Sequence, residues 1–274
     1  MQTSPQVAVS GHEHCPLAQL EQLAKSLTLP LFNDAPSAQY LLHQNLNRLE
    51  LLNANEPKTK AICVDFEAGK AHHRRLYGGG KGQDFSKALG LQKFPAATIV
   101  DATAGLGGDA FVMATLGCTV TMLERNTIVQ QLLSDGLARA DSSEDSEVQA
   151  IAAKMRLVQQ QAAGYLKSLD ADEYPMLIYL DPMFPQRGKS ALVKKEMRFF
   201  HDIVGNDDDS GELLDIALTR AVERVIVKRP LKAETLNARK PDFDIKGKTI
   251  RYDIYLGCRH LANQRPITSS SISE

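Results

Sequence analysis

Short apolar runs alternate with longer stretches of helical periodicity from residue 95 onward. The predicted strands are TIVD (98–101), VTMLE (120–124), RLVQQ (156–160), MLIYLD (176–181) and RVIVK (224–228). The predicted helices cover residues 104–116, 127–140, 190–204 and 211–221. Strands that alternate with helices in this way predict βαβ units, and therefore an α/β fold built on a mostly parallel sheet.

The last two apolar runs predict a different connection. FDIKG (243–247) and IRYDIYLG (250–257) are separated only by Lys248 and Thr249, which is short enough for a β-hairpin. A Rossmann-like parallel sheet that ends in an antiparallel hairpin is typical of class I methyltransferases. It is not the pattern of a symmetric two-half dinucleotide fold.

The N-terminal part follows another pattern. VAVS (7–10) and AICVDF (61–66) are strand-like, and leucines recur at three- and four-residue spacing in the helical stretch that Pro16 opens. We therefore predict a small N-terminal α/β domain at 1–80 and a larger α/β domain at 81–274.

Composition narrows the functional classes. With 43% hydrophobic and 24% charged residues among 274, the chain is too apolar to be wholly disordered. A net charge of -1 means that any nucleic-acid site must be a local basic patch. The four cysteines form no CxxC pair that would indicate a zinc ribbon. No signal peptide or membrane span is visible, so we expect a cytoplasmic protein without a metal.

VDATAGLGGDAF (100–111) is the strongest local motif. Asp101 ends a predicted strand, and Gly105, Gly107 and Gly108 precede a helix, so the backbone can approach a ligand at a helix N-terminus. Glu124 ends the next strand, where an acid accepts hydrogen bonds from two ribose hydroxyls. These residues predict a nucleotide or nucleoside site.

Two cofactor classes use this geometry. GLGGDA also satisfies the G-x-G-x-x-A fingerprint of dinucleotide-binding dehydrogenases. Asp101 favours S-adenosylmethionine (SAM), because a carboxylate there can face the methionine ammonium; Gly107 and Gly108 would line the methionine moiety, with Asp109 nearby. The alternative role of Asp101 is a cap for the turn that follows it.

YLDPMFP (179–185) follows the fourth predicted strand and resembles the (D/N)PP(F/Y) motif of methyltransferases that act on exocyclic amino groups. Such an amino group is a poor nucleophile, because its lone pair is delocalised into the ring. Asp181 and the Pro182 carbonyl can accept its N–H bonds and direct the lone pair at the methyl group, and Phe184 can stack on the base. Met183 stands where a second proline is usual.

Basic residues cluster in three segments that are predicted to lie near one sheet edge: 70–81, 186–200 and VKRP (227–230) at the end of the fifth predicted strand. They could contact RNA phosphates, in which case the N-terminal domain at 1–80 would dock RNA or form a lid, or they could simply form solvated surfaces. The candidates are Arg74, Arg75, Lys81, Arg187, Lys189, Lys194, Lys195, Arg198, Lys228 and Arg229.

Taken together, these motifs resemble the RsmJ family of bacterial small-subunit ribosomal RNA methyltransferases. The resemblance covers residues 60–257. The segments that carry it are VDF (64–66), HRRLYGGGKG (73–82), VDATAGLGGDAFV (100–112), GCTVTMLERN (117–126), YLDPMFPQRGKSALVKKEMR (179–198), VIVKRP (225–230) and YDIYLG (252–257).

The resemblance implies SAM-dependent formation of N2-methylguanosine in 16S rRNA, with free rRNA or the assembled 30S subunit as the substrate. By resemblance, the cofactor contacts are Gly108, Asp109, Glu124, Arg125, Gln161, Ala162 and Asp181. Three of these positions depart from the family pattern. Gly108 replaces a frequent arginine, and Gln161 with Ala162 replaces a frequent pair of serines.

Two other functions compete with this one. An NAD-dependent oxidoreductase is compatible with GLGGDA and Glu124, although no proton donor is evident near the fourth strand. A non-catalytic RNA-binding module with a vestigial pocket is the second alternative, and the intact Asp181-Pro182 pair argues against it.

Overall fold

A computed structural model of the chain describes residues 7–68, 84–183, 202–205, 207 and 209–262. Its strands are β1 (Val7–Gly11), β2 (Tyr40–Gln44), β3 (Leu49–Asn53), β4 (Thr98–Asp101), β5 (Thr119–Leu123), β6 (Met155–Val158), β7 (Leu177–Leu180), β8 (Arg224–Pro230), β9 (Phe243–Lys246) and β10 (Ile250–Leu256). Its α-helices are α1 (Leu17–Leu27), α2 (Asp84–Leu89), α3 (Gly108–Thr115), α4 (Thr127–Asp141), α5 (Ser146–Ala152), α6 (Ala162–Ser168), α7 (Ser210–Leu218) and α8 (Cys258–Ala262).

A seven-stranded sheet forms the centre of the molecule, with the order β6-β5-β4-β7-β8-β10-β9. The five neighbouring strands β6, β5, β4, β7 and β8 run parallel to one another. Strand β10 is antiparallel to both β8 and β9. The predicted parallel sheet with a terminal antiparallel hairpin is therefore confirmed, as is the class I methyltransferase fold.

Both faces of the central sheet are covered, which explains why its strands are apolar without interruption. Alternate residues of β7 point to opposite faces: Leu177 and Tyr179 join one hydrophobic cluster, while Ile178 and Leu180 join the other. Residues of α3 and α4 pack in the first cluster, and residues of α6 and α7 pack in the second.

The N-terminal residues form a separate three-stranded sheet, in which β2 pairs parallel to β1 and antiparallel to β3. AICVDF (61–66) was predicted as a strand, and that prediction is wrong. Only Ile62 bridges to Leu51 there, although Ile62, Val64 and Phe66 are buried in alternation. The pattern thus identified the buried side chains but not the pairing.

This N-terminal region shares its core with the central sheet. The ring of Phe66 stacks on that of Phe111 in α3, with centroids 4.8 Å apart. Gly136 of α4 lies against Val64, where a Cβ atom would be 2.3 Å from the valine Cγ1. Residues 69–83, which contain the proposed boundary at 80/81, lie outside the described residues, so this division stays a prediction.

Several predicted features also fall outside the described part of the chain. These are most of the 190–204 helix, Phe184, and the basic residues Arg74, Arg75, Lys81, Arg187, Lys189, Lys194, Lys195 and Arg198. Within the described residues, none of the helices has the length and apolarity to cross a membrane, and no cluster of side chains is suited to hold a metal ion.

Candidate active site

An open cleft lies at the carboxyl ends of β4, β5 and β7. In open α/β sheets, ligands bind where neighbouring strands send their connections to opposite faces, and β4 lies at such a point between β5 and β7. The cleft is lined by Ala102, Thr103, Gly105, Leu123, Glu124, Arg125, Gln161, Ala162, Ala163, Asp181, Met183, Val204, Asp207, Asp209, Ser210 and Leu213.

The predicted glycine-rich turn connects β4 to α3. Gly105 and Gly107 have φ angles of 54° and 74°, a conformation that favours glycine. A Cβ atom on Gly107 would also lie 2.7 Å from Leu133 Cδ1. Gly105 faces the cleft, whereas Gly107 and Gly108 are not among its lining residues. The predicted contact of Gly107 and Gly108 with the methionine moiety stays untested.

Glu124 stands at the end of β5 with its carboxylate in the cleft, and it is only 7% exposed. Its Oε2 accepts a hydrogen bond from the Gly105 N–H (3.0 Å), and its Oε1 accepts one from the Asn126 N–H (2.7 Å). Burial raises the pKa of Glu124, and these backbone donors oppose that effect. Each carboxylate oxygen can accept a further hydrogen bond, so the pair suits the two hydroxyls of a ribose.

The other walls of the cleft fit the rest of a nucleoside. Leu123, Ala162 and Leu213 give it an apolar surface next to the Glu124 carboxylate. Gln161 occupies the N-cap position of α6, just beyond the carboxyl end of β6, and its Nε2 donates to Asp209 Oδ2 at 3.4 Å. A carboxylate for vicinal hydroxyls beside an apolar surface fits the adenosine portion of SAM.

Asp101 does not line this cleft. It is 1% exposed, and its Oδ1 accepts a hydrogen bond from the Thr103 N–H at 3.2 Å. Burial raises the pKa of Asp101 well above its ordinary value. The geometry matches the alternative role of a cap for the turn, and the contact with a methionine ammonium stays a prediction.

Asp181 follows β7, and a hydrogen bond from its backbone N–H fixes its position. Its N–H donates to Thr103 Oγ1 at 2.6 Å, which ties the DPMF segment to the glycine-rich turn. Its carboxylate faces the cleft, and Lys228 Nζ lies 2.7 Å from Oδ2. Pro182 is buried behind it, while Met183 lines the cleft.

Two acidic residues of the cleft, Asp207 and Asp209, were not predicted from the sequence. Asp207 Oδ2 accepts a hydrogen bond from the Met183 N–H at 2.6 Å. The guanidinium of Arg125 pairs with Asp207 at 2.5 Å and with Asp209 at 2.9 Å. The run of three acids at 207–209 was the available signal, but only the folded chain brings it opposite Arg125. Arg125 thus links the end of β5 to Asp207 and Asp209.

Lys228 and Arg229 are not on an open basic surface. Arg229 is 6% exposed and donates to the Glu234 carbonyl, so its side chain is packed in the fold, and its predicted phosphate contact stays a prediction. Lys228 is 18% exposed and pairs with Asp109 and Asp181. Its ammonium therefore belongs to the candidate active site, and its predicted phosphate contact likewise stays a prediction.

Comparisons with known proteins agree with this geometry. The family model described as "Putative SAM-dependent methyltransferase" matches residues 22–257. The chain is 48% identical over 240 residues to a protein of Aeromonas salmonicida named ribosomal RNA small subunit methyltransferase J, with 87% of this chain and 93% of that protein covered. A protein of Pseudomonas fluorescens with the same name is 46% identical over 238 residues, and the match covers 87% and 90% of the two chains.

Among solved structures, a SAM-dependent methyltransferase from Neisseria gonorrhoeae superposes with a TM-score of 0.71. The two chains are 34% identical, and the match covers 92% of this chain and 96% of the other. The sheet order and these matches exclude the NAD-dependent alternative. The chain belongs to the family of SAM-dependent methyltransferases that includes the ribosomal RNA small subunit methyltransferases J.

Proposed function

We propose that this protein methylates the exocyclic N2 amino group of a guanine in 16S rRNA. The observation that carries the proposal is that Asp181 of the DPMF segment lies in the same cleft as Glu124, so one site can hold both SAM and an amino group. The names of the relatives supply the substrate class, small-subunit rRNA. The resemblance to the RsmJ family supplies the choice of guanine N2.

The chemistry requires little acid–base catalysis from the protein. SAM carries its methyl group on a sulfonium, which is its own leaving group. The amino nitrogen forms the new N–C bond as the S–C bond breaks, and it then loses one proton to water. Asp181 and the Pro182 carbonyl accept the amino N–H bonds, which withdraws the lone pair from the ring and aims it at the methyl carbon. Phe184, outside the described residues, is proposed to stack on the base.

Labelled methyl transfer tests this proposal directly. Small subunits from cells that lack the protein, and the naked 16S rRNA extracted from them, are incubated with the protein and labelled SAM. Nuclease digestion then identifies the modified nucleoside. We expect N2-methylguanosine, and the substrate that accepts more label distinguishes the assembled 30S subunit from free rRNA. Labelled N6-methyladenosine, or no transfer by a folded protein that binds SAM, would disprove the proposed substrate.

We also propose that the N-terminal domain, residues 1–80, helps to dock the RNA on the catalytic domain, residues 81–274. The support is the segment 70–81, which spans the proposed boundary and carries Arg74, Arg75 and Lys81 without an acid. The proposed substrate would place the protein in the cytoplasm, where ribosomal subunits are assembled.

Neutralising Arg74, Arg75 and Lys81 with glutamine should weaken RNA binding and flatten its salt dependence. Each lost phosphate contact lowers the slope of log K against log salt by about one. The measurement is RNA affinity over a range of salt concentrations. The matched control neutralises Lys93, Lys154 and Lys246, which are exposed lysines elsewhere in the sequence. A triple variant with the wild-type slope would show that these residues do not dock RNA.

A further inference from the structure

Lys228 occupies an unusual place for a lysine. It lies within β8, where its register partner on the antiparallel strand β10 is Tyr252. Its side chain is only 18% exposed, and its Nζ lies 2.7 Å from Asp109 Oδ2 and 2.7 Å from Asp181 Oδ2. A single ammonium therefore bridges the first turn of α3 and the carboxylate that follows β7.

The surroundings of this ammonium are acidic. Tyr179 donates a hydrogen bond to the same Asp109 oxygen at 2.7 Å, and the buried Asp101 carboxyl is also close enough to interact electrostatically with Lys228. Burial alone would lower the pKa of Lys228, but Asp109 and Asp181 outweigh burial and raise it. The lysine thus stays protonated, and it compensates the charge of carboxylates from several elements.

The bridge also restricts the Asp181 carboxylate. Oδ2 is held by Lys228, and the backbone N–H of the same residue is held by Thr103 Oγ1. The carboxylate cannot rotate about its Cβ–Cγ bond without breaking a charge-assisted hydrogen bond. Its orientation toward the cleft is therefore fixed before the substrate arrives.

We propose that Lys228 is a positioning residue for methyl transfer: it holds Asp181 ionised and correctly oriented to accept the N–H bonds of the target amino group. This inference rests on the proposed function, because it assigns Asp181 the role of amino-group acceptor. It replaces the phosphate contact that the basic VKRP sequence suggested. Lys228 acts through Asp181 and does not itself contact the reacting atoms.

The test compares Lys228→Met and Lys228→Arg with the wild-type protein in the methyl-transfer assay at saturating SAM. We expect Lys228→Met to lower kcat roughly 10- to 100-fold, since small errors in the placement of reacting groups have effects of that size. SAM and RNA affinities should stay unchanged. Lys154→Met removes the same charge from an exposed lysine that precedes β6, and it should behave as wild type.

The pH profile of kcat separates positioning from a merely structural role. Without the ammonium, Asp181 faces Asp109 and Asp101 with less compensation, so the acidic limb of the profile should move to higher pH in Lys228→Met. Lys228→Arg keeps the charge and should keep the limb in place. Burial and the neighbouring Asp109 raise the pKa of Tyr179 well above its ordinary value, so this phenol does not contribute to the acidic limb. Thermal melting checks that each variant is folded, and Lys228→Gln takes the place of Lys228→Met if the latter does not fold.

Three results would overturn the inference while the wild-type protein transfers methyl groups. The first is a wild-type kcat in Lys228→Met. The second is a loss in that variant that is confined to RNA affinity and its salt dependence. The third is a lowered kcat without any movement of the acidic limb of the pH profile. If the wild-type protein itself transfers no methyl group to the small subunit, the proposed function fails instead, so the two failures are distinguishable.

Discussion

Replacing Asp181 with alanine should abolish methyl transfer while the protein still binds SAM. We expect kcat to fall by at least about 1,000-fold, the upper part of the range for removing one preorganised polar group that acts in a transition state. The amino group would lose its acceptor and keep its lone pair in the ring. Folding should survive, because Asp181 is only partly buried and Lys228 keeps its pair with Asp109.

The measurement combines single-turnover methyl transfer with calorimetric titration of SAM. Asp172→Ala is the matched control, since Asp172 is an exposed carboxylate on the segment that precedes β7. Asp181→Asn keeps the shape of the side chain but removes the charge, so its kcat should lie between those of Asp181→Ala and the wild-type protein. Substantial activity in Asp181→Ala would show that the DPMF carboxylate does not direct the amino group.

The sequence predicted the parts of the fold that depend on local pattern. Strands β4, β5, β7 and β8 were found because strands buried on both faces are continuously apolar. The glycine-rich turn was found because φ angles such as those of Gly105 and Gly107 favour one residue type. Glu124 was found because its position follows from the spacing of the turn and the next strand.

Features that depend on pairing between distant segments were not predictable in the same way. The sequence placed VKRP at the end of a strand, whereas β8 continues through Pro230 because β10 pairs along its whole length. Inside a strand, successive side chains point to opposite faces. Lys228 thus reaches Asp181, and Arg229 is buried on the other side. The pairing of Arg125 with Asp207 and Asp209 likewise joins residues that are more than 80 positions apart.

The second large effect that we expect is a loss of SAM affinity when Glu124 is replaced. Glu124→Gln should weaken SAM binding by at least about 100-fold, since each hydrogen bond to a charged group contributes roughly 1.5–3 kcal/mol and the ribose offers two. The glutamine amide would also place a donor against the N–H of either Gly105 or Asn126, each of which now donates to a carboxylate oxygen. Calorimetric titration of SAM measures the loss, and Glu144→Gln, at an exposed glutamate, is the control.

The pH dependence of SAM binding gives the same hypothesis an independent test. Burial raises the pKa of Glu124, so its carboxylate takes up a proton at a higher pH than an exposed glutamate does. A protonated carboxyl cannot accept from both hydroxyls while it also accepts from Gly105 and Asn126. The affinity of the wild-type protein should therefore fall as the pH drops through that raised pKa, and Glu124→Gln should lack this dependence. If the variant bound SAM as tightly as wild type and with the same pH dependence, the ribose would be held by other groups.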